Sequence, residues 1–146
     1  MKLSTKSRYG VRAMTDIALY GETGASQLKD ISRRQSISAK YLDHILSALR
    51  KSGLIRSTRS RTAGYTLARP AHQITLREII QLLEGSLALV ECVDNPRCCK
   101  QVPVCFSRDV WGKLKTEMEK VLDSITLQDL IDSQKTKTSA TLNYCI

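Results

Sequence analysis

Four of the five cysteines, Cys92, Cys98, Cys99 and Cys105, fall within fourteen residues. Thiols clustered in this way can hold a metal, exchange disulfides or react with oxidants. Five residues separate Cys92 from the adjacent pair Cys98 and Cys99, and five more separate that pair from Cys105. Structural zinc sites usually bring paired cysteines roughly two to four residues apart. The wider spacing, in a stretch broken by Pro96 and Pro103, suits a larger object that a loop wraps around. An iron-sulfur cluster of two or four irons is such an object. Three ligands are expected from the loop, with one thiol of the adjacent pair to spare. Zinc, or thiols that are merely buried or reactive, are the competing readings. Cys145 stands apart and is read as incidental.

Other chemistry finds little footing. His44 and His72 are the only histidines, and neither joins a Ser/His/Asp or Cys/His arrangement. No glycine-rich phosphate cradle exists, so no enzyme is expected. Met1 to Arg12 alternates charge with polarity where a secretion signal would be apolar, and no apolar run approaches the roughly 20 residues of a membrane span. A cytoplasmic protein with no membrane partner is expected, in a compartment where clustered cysteines favour metal or redox chemistry over disulfides.

The charge points to a different partner. The 146 residues carry a formal net charge of +9, but residues 1–70 hold 14 Lys and Arg against 4 Asp and Glu, and the remainder 9 against 10. A basic surplus confined to one folded half suits a polyanion, whose condensed counterions are released on binding.

The elements that must position these groups are mostly helical. Apolar residues at Val11, Met14, Ile17 and Ala18 predict a helix over Thr5 to Tyr20, and Leu28 and Ile31 a short one over Gln27 to Arg34. After a turn through Gln35, Ser36 and Ile37, Ser38 can cap a third helix over about Ala39 to Ser52. Its buried stripe is Tyr41, Leu42, Ile45, Leu46 and Leu49, and Gly53 closes it. Two β-like runs, Leu54 to Thr58 and Gly64 to Arg69, form a hairpin with Ile55, Tyr65 and Leu67 inward and two arginines at its tip. Thr75 and Glu78 make a capping box for a helix to Glu84. The prolines forbid regular helix over Glu91 to Cys105. Beyond, Val110, Trp111, Leu114, Met118, Val121, Leu122 and Ile125 fall close to coiled-coil spacing, so this long helix wants a partner. Thr126 can cap a last short helix to about Ser133. Asp123, Asp129 and Asp132 read as a solvated face.

The expected fold is therefore mainly α with a small β-hairpin: a winged helix-turn-helix plus a long dimerisation helix. Its parts are the winged helix-turn-helix (1–70), a connecting helix and linker (71–90), the cysteine loop (91–105), the dimerisation and terminal helices (106–133) and a flexible tail (134–146). A helix fits the major groove, so Ser38, Lys40, Asp43, His44 and Ser47 are the candidate base and phosphate contacts, with Arg59 and Arg61 on the wing. The bland alternative is a solvated helix face beside a charged hairpin. A twofold dimer through Val110, Trp111, Leu114, Met118, Val121 and Leu122 would match a palindromic double-stranded site.

Several segments together carry a family resemblance. Met1-Lys2-Leu3-Ser4-Thr5-Lys6-Ser7-Arg8-Tyr9-Gly10, Ile37-Ser38 with Tyr41-Leu42, Leu49-Arg50-Lys51-Ser52-Gly53-Leu54-Ile55, Gly64-Tyr65-Thr66-Leu67, the cysteine loop and Asp109-Val110-Trp111 resemble the redox-response-factor-two family of bacterial winged-helix transcriptional regulators. The similarity is to the IscR/NsrR type, and within it most to the IscR kind. The resemblance implies a homodimeric transcription factor that senses iron-sulfur cluster status, redox or nitric oxide stress and controls cluster-biogenesis genes, with Arg59 as a minor-groove reader. It also implies a fourth cluster ligand. Arg108 stands where IscR-like members carry a histidine, and Arg8 where NsrR-like members carry an acidic residue lent by the partner. The fourth ligand is left open between the spare thiol of Cys98 or Cys99, Asp94 and Glu91. Two other functions stay in view: a small iron-sulfur or thiol-redox electron carrier, and a zinc-stabilised DNA-binding protein.

Overall fold

The computed structural model describes residues 3–21, 24–58 and 63–143, with side chains to residue 139. Helix α1 (Thr5–Tyr20) begins where Ser4 accepts from the Ser7 amide. It is followed by α2 (Leu28–Gln35) and α3 (Ala39–Lys51), whose cap is Ser38. Strands β1 (Ile55–Thr58) and β2 (Gly64–Leu67) pair antiparallel, with Ile55 opposite Leu67 and Thr58 opposite Gly64. The wing tip, with Arg59 and Arg61, lies outside the described residues. Ser26 forms a single antiparallel bridge to β2 by exchanging both main-chain hydrogen bonds with Tyr65, at 2.9 and 3.0 Å. Gly64 is needed there, because a Cβ would sit 2.7 Å from the Ser26 carbonyl oxygen.

Helix α4 (Leu76–Glu84) starts from the Thr75/Glu78 capping box, with both reciprocal bonds made. The cysteine segment is less irregular than the prolines suggest. It holds one helical turn, α5 (Glu91–Asp94), and two 3-10 turns, Pro96–Cys98 and Val102–Val104. Each proline occupies a first-turn position, where no amide donor is required of it. Helix α6 (Phe106–Ser124) follows, then α7 (Leu127–Asn143). The tail read as flexible from residue 134 is thus helical to Asn143. No glycine or proline interrupts it, and the Thr136, Thr138 and Ser139 hydroxyls each donate to the carbonyl four residues back.

One core joins α1 to α4, the hairpin and α7, and leaves out the cysteine segment and α6. Met14 and Ile17 of α1, Ile31 of α2, Leu42, Ile45, Leu46 and Leu49 of α3, and Ile55 of β1 pack with Ile74, Ile79 and the α7 residues Leu127 and Ile131. A β-bridge between Thr75 and Thr126 ties the start of α4 to the start of α7. Helix α6 buries no residue of its own within the chain. It is held to α4 by ion pairs from Arg77 to Glu119 and Asp123, at 3.3 and 2.8 Å. Asp123, Asp129 and Asp132 are exposed, as a solvated face requires, and also bond locally: Asp129 caps α7 through Thr126, and Asp132 accepts from Gln128.

Candidate nucleic-acid interface and cysteine loop

The turn between α2 and α3 is built by side chains as much as by the main chain. Ser36 takes a left-handed conformation, φ 53°, which reverses the chain so that Ile37 can enter the core. The Ser32 hydroxyl donates to the Ile37 carbonyl at 2.6 Å, while the Ile37 amide donates to the Ser32 carbonyl at 3.1 Å. Behind the turn lies Asp16, 1% exposed. Its carboxylate accepts from Arg34 Nε and Nη2 at 2.9 and 2.5 Å and from Gln35 Nε2 at 2.9 Å. Arg12 then grips Gln35 at both its side-chain and main-chain oxygens. None of these four residues stands out in a reading of local patterns. The one available signal is that Asp16 interrupts the apolar stripe of Met14, Ile17 and Ala18. A buried carboxylate must be paired or pay a heavy desolvation cost.

So braced, α3 presents one open groove. Its lining is Ser38, Lys40, Tyr41, Asp43, His44 and Ser47, which brings together every helix residue singled out above. Lys40, Asp43 and His44 are exposed, and Ser47 is half-buried. Tyr41 joins them from the buried side, with its ring edge-on to Tyr9 at 6.0 Å. Arg50, Lys51 and Arg56 are also exposed, on the end of α3 and on β1. His72 lies in the 3-10 turn before α4, away from this groove.

In the cysteine loop, Cys92 and Cys105 are half-buried, while Cys98 and Cys99 are exposed. The Cys105 thiol lies 3.2 Å from the Ser107 hydroxyl. That hydroxyl, then the Arg108 amide, lowers its pKa from the ordinary thiol value. Cys98 is pushed upward, first by desolvation and then by the negative charge of Glu91 and the neighbouring thiols Cys92 and Cys99. Asp94 is engaged by Lys115 at 2.5 Å and by Ser86, and Glu91 accepts from Asn95 at 3.3 Å. The donor set is thiol-rich and suits iron or zinc in chemical type. Among the described residues, however, no three of His, Cys, Asp and Glu converge on a point that a metal ion could occupy. Ligation would require the loop to draw its thiols inward.

Helix α6 shows the apolar stripe. Val110, Trp111, Leu114 and Val121 are exposed, and Met118 and Leu122 are half-buried. Phe106, the first residue of α6, is 86% exposed, and Val104 on the cysteine loop is 76% exposed. The sequence reading did not include these two. No helix is long and apolar enough to cross a membrane among the described residues.

Comparison with known proteins places the chain. The family profile described as "Rrf2: Iron-dependent Transcriptional regulator" matches residues 3–133. The protein Rrf2 of Nitratidesulfovibrio vulgaris is 42% identical over 131 residues, covering 90% of this chain and 87% of that one. Among solved structures, T. potens IscR superposes with a TM-score of 0.76 at 40% identity, covering 92% of this chain and 88% of that one. CymR (YrzC), the global cysteine regulator of B. subtilis, has the same TM-score at 34% identity, covering 91% and 98%. These relatives are regulators and not enzymes. With a helix-turn-helix, a hairpin wing and a match running from the first helix into the last, the chain belongs to the Rrf2 family of transcriptional regulators.

Proposed function

We propose that the chain is a homodimeric transcription factor that binds a palindromic duplex through α3 and the wing, and whose cysteine loop holds an iron-sulfur cluster that sets DNA affinity. The observation that carries the DNA reading is the groove of α3, where Ser38, Lys40, Asp43, His44 and Ser47 share one open surface at the end of a braced turn. Lys40 meets phosphate, Asp43 accepts from a cytosine amino group, and the hydroxyls and His44 serve either bases or backbone. Arg59 and Arg61 are assigned to the wing contact.

The cluster reading is supported by the thiol donor set and by the iron dependence and IscR likeness of relatives. When bound, a cluster supplies an iron centre that oxidant or nitric oxide can alter. Cys92, Cys105 and one or both of Cys98 and Cys99 would hold it. The Ser107 hydroxyl and the Arg108 amide stabilise the Cys105 thiolate, the ligating form. Cytoplasmic control of genes for cluster assembly is the corresponding physiological role.

Anaerobic reconstitution with iron and sulfide, followed by absorption spectroscopy and metal and sulfide assay, tests this directly. Coloured protein is expected, with Cys92→Ala and Cys105→Ala colourless and Cys98→Ala and Cys99→Ala unequal. Loaded and empty protein should differ in affinity for a selected palindrome. Colourless wild-type protein holding only zinc, or equal iron in all four variants, would remove the cluster.

A further inference from the structure

We infer that the cleft between α1, α2 and α7 is a binding site for a small organic carboxylate whose occupancy braces the turn that aims α3. The binding step stands on the cleft alone; its effect on α3 rests on the DNA-binding reading above.

The cleft measures about 700 Å³, inside the range of roughly 300 to 1,000 Å³ typical of small-molecule sites. Val11, Leu19 and Leu130 supply an apolar lining, and among the described lining residues Arg12 and Arg34 face it beside one carboxylate, Asp16. That carboxylate is saturated by Arg34 and Gln35, so it does not leave an unpaired negative charge facing an incoming anion.

Both arginines are already oriented. The Arg34 guanidinium lies 4.0 Å from the Tyr20 ring centroid and is tied to Asp16 through Nε and Nη2. The Arg12 guanidinium lies 5.4 Å from the Tyr9 ring centroid and is tied to Gln35 through the same two nitrogens. In each case Nη1 makes no hydrogen bond among the described residues. A guanidinium fixed on one edge and one face offers its remaining donors with little further loss of side-chain entropy, and a carboxylate is the acceptor those donors fit. The apolar lining calls for a hydrocarbon body on the same molecule. None of this surface overlaps the α3 groove, and the cleft's third wall includes Gln134 and Lys137, beyond the span matched to the family.

The coupling follows from position. Arg34 and Gln35 end α2, immediately before the left-handed Ser36. An anion held by the free donors of Arg12 and Arg34 adds a further tie between α1 and that end of α2, beside the bonds of Asp16 and Arg12 already there, and so would favour the arrangement in which α3 is aimed.

Methyl NMR of the full chain titrated with benzoate, with benzamide as the uncharged isostere, tests the site. Saturable shifts at the Val11, Leu19 and Leu130 methyls are expected with benzoate and not with benzamide. Arg12→Gln should weaken benzoate by about tenfold, the loss of one charge-assisted contact. Ser133→Trp should block it while keeping the wild-type melting temperature, because Ser133 is exposed on the rim. No saturable shift at these methyls, or equal binding of benzamide, overturns the site. So does an Arg12→Gln protein that loses DNA affinity but keeps benzoate, since the arginines would then serve duplex phosphates. If benzoate binds as expected and DNA affinity does not respond, the site stands and the coupling falls. Benzoate binding by a protein with no affinity for any duplex would sink the regulator reading alone.

Discussion

Arg108, in the first turn of α6, donates from Nε to the main-chain carbonyl of Cys92 at 2.9 Å and so ties the start of the cysteine loop to the helix that follows it. A hydrogen bond from a charged donor contributes about 1.5 to 3 kcal/mol when well shielded, and this one is only half-buried. Arg108→Ala should therefore make opening of the loop easier by roughly 1 kcal/mol, without touching the core. Hydrogen exchange is the measurement. Amides of residues 91–105 should exchange faster and those of α1 to α3 unchanged; unaltered loop exchange would mean the tie holds nothing.

Lys40 and Asp43 share the α3 groove but carry opposite charge, and their loss should have different signatures. On the proposed assignment Lys40→Ala should remove one phosphate contact, lowering affinity on every duplex and reducing the salt slope by about one unit. If Asp43 reads bases as proposed, Asp43→Ala should remove an acceptor that repels phosphate, so that site discrimination relaxes while affinity holds or rises. Selection on random duplexes, with anisotropy at several salt concentrations, separates them. Identical site preferences in both variants would argue against α3 as the reading helix.

Trp111 and Leu114 stand exposed on a helix that buries nothing within its own chain. Exposed apolar side chains in such a row suit an interface, and in the proposed homodimer a second copy would supply the matching stripe by symmetry. Sedimentation should show a dimer at micromolar concentration, with Leu114→Glu shifting it toward monomer. A wild-type monomer would remove the homodimer and, with it, the palindrome.

Asp129 accepts from the Thr126 hydroxyl at 2.6 Å and from the Thr126 amide at 2.7 Å. These bonds, the hydroxyl first, hold its carboxyl below the ordinary aspartate range. The folded pKa lies under the unfolded one, so the stabilisation is fully present above the unfolded value, about 3.9, and is lost as pH falls through the folded one. Acid should loosen the start of α7, and with it the packing of Leu127. Asp129→Asn should flatten that part of the acid-unfolding profile; a profile identical to wild type would count against the cap.

The helix ends were legible because their causes are local. Ser38 and Thr75 each cap within three residues, and the stripe of Leu42, Ile45, Leu46 and Leu49 declares its own buried face. The last helix was legible from its Thr126 start to about Ser133 but not beyond, since a polar Thr- and Lys-rich stretch looks the same whether it frays or winds. Its continuation depends on Leu127 and Ile131 being anchored in the core.

By itself the sequence determined the order of helices and hairpin, the basic first half, the thiol spacing and the stripe on α6, because periodicity, caps and composition act over one or two turns of chain. Tertiary structure alone decided that Asp16 meets Arg34 eighteen residues away, that Arg108 reaches back to Cys92, and that α1, α2 and α7 enclose a cleft. Such meetings depend on how distant segments pack, and a buried carboxylate or a guanidinium shows its partner only once the low-dielectric core between them exists.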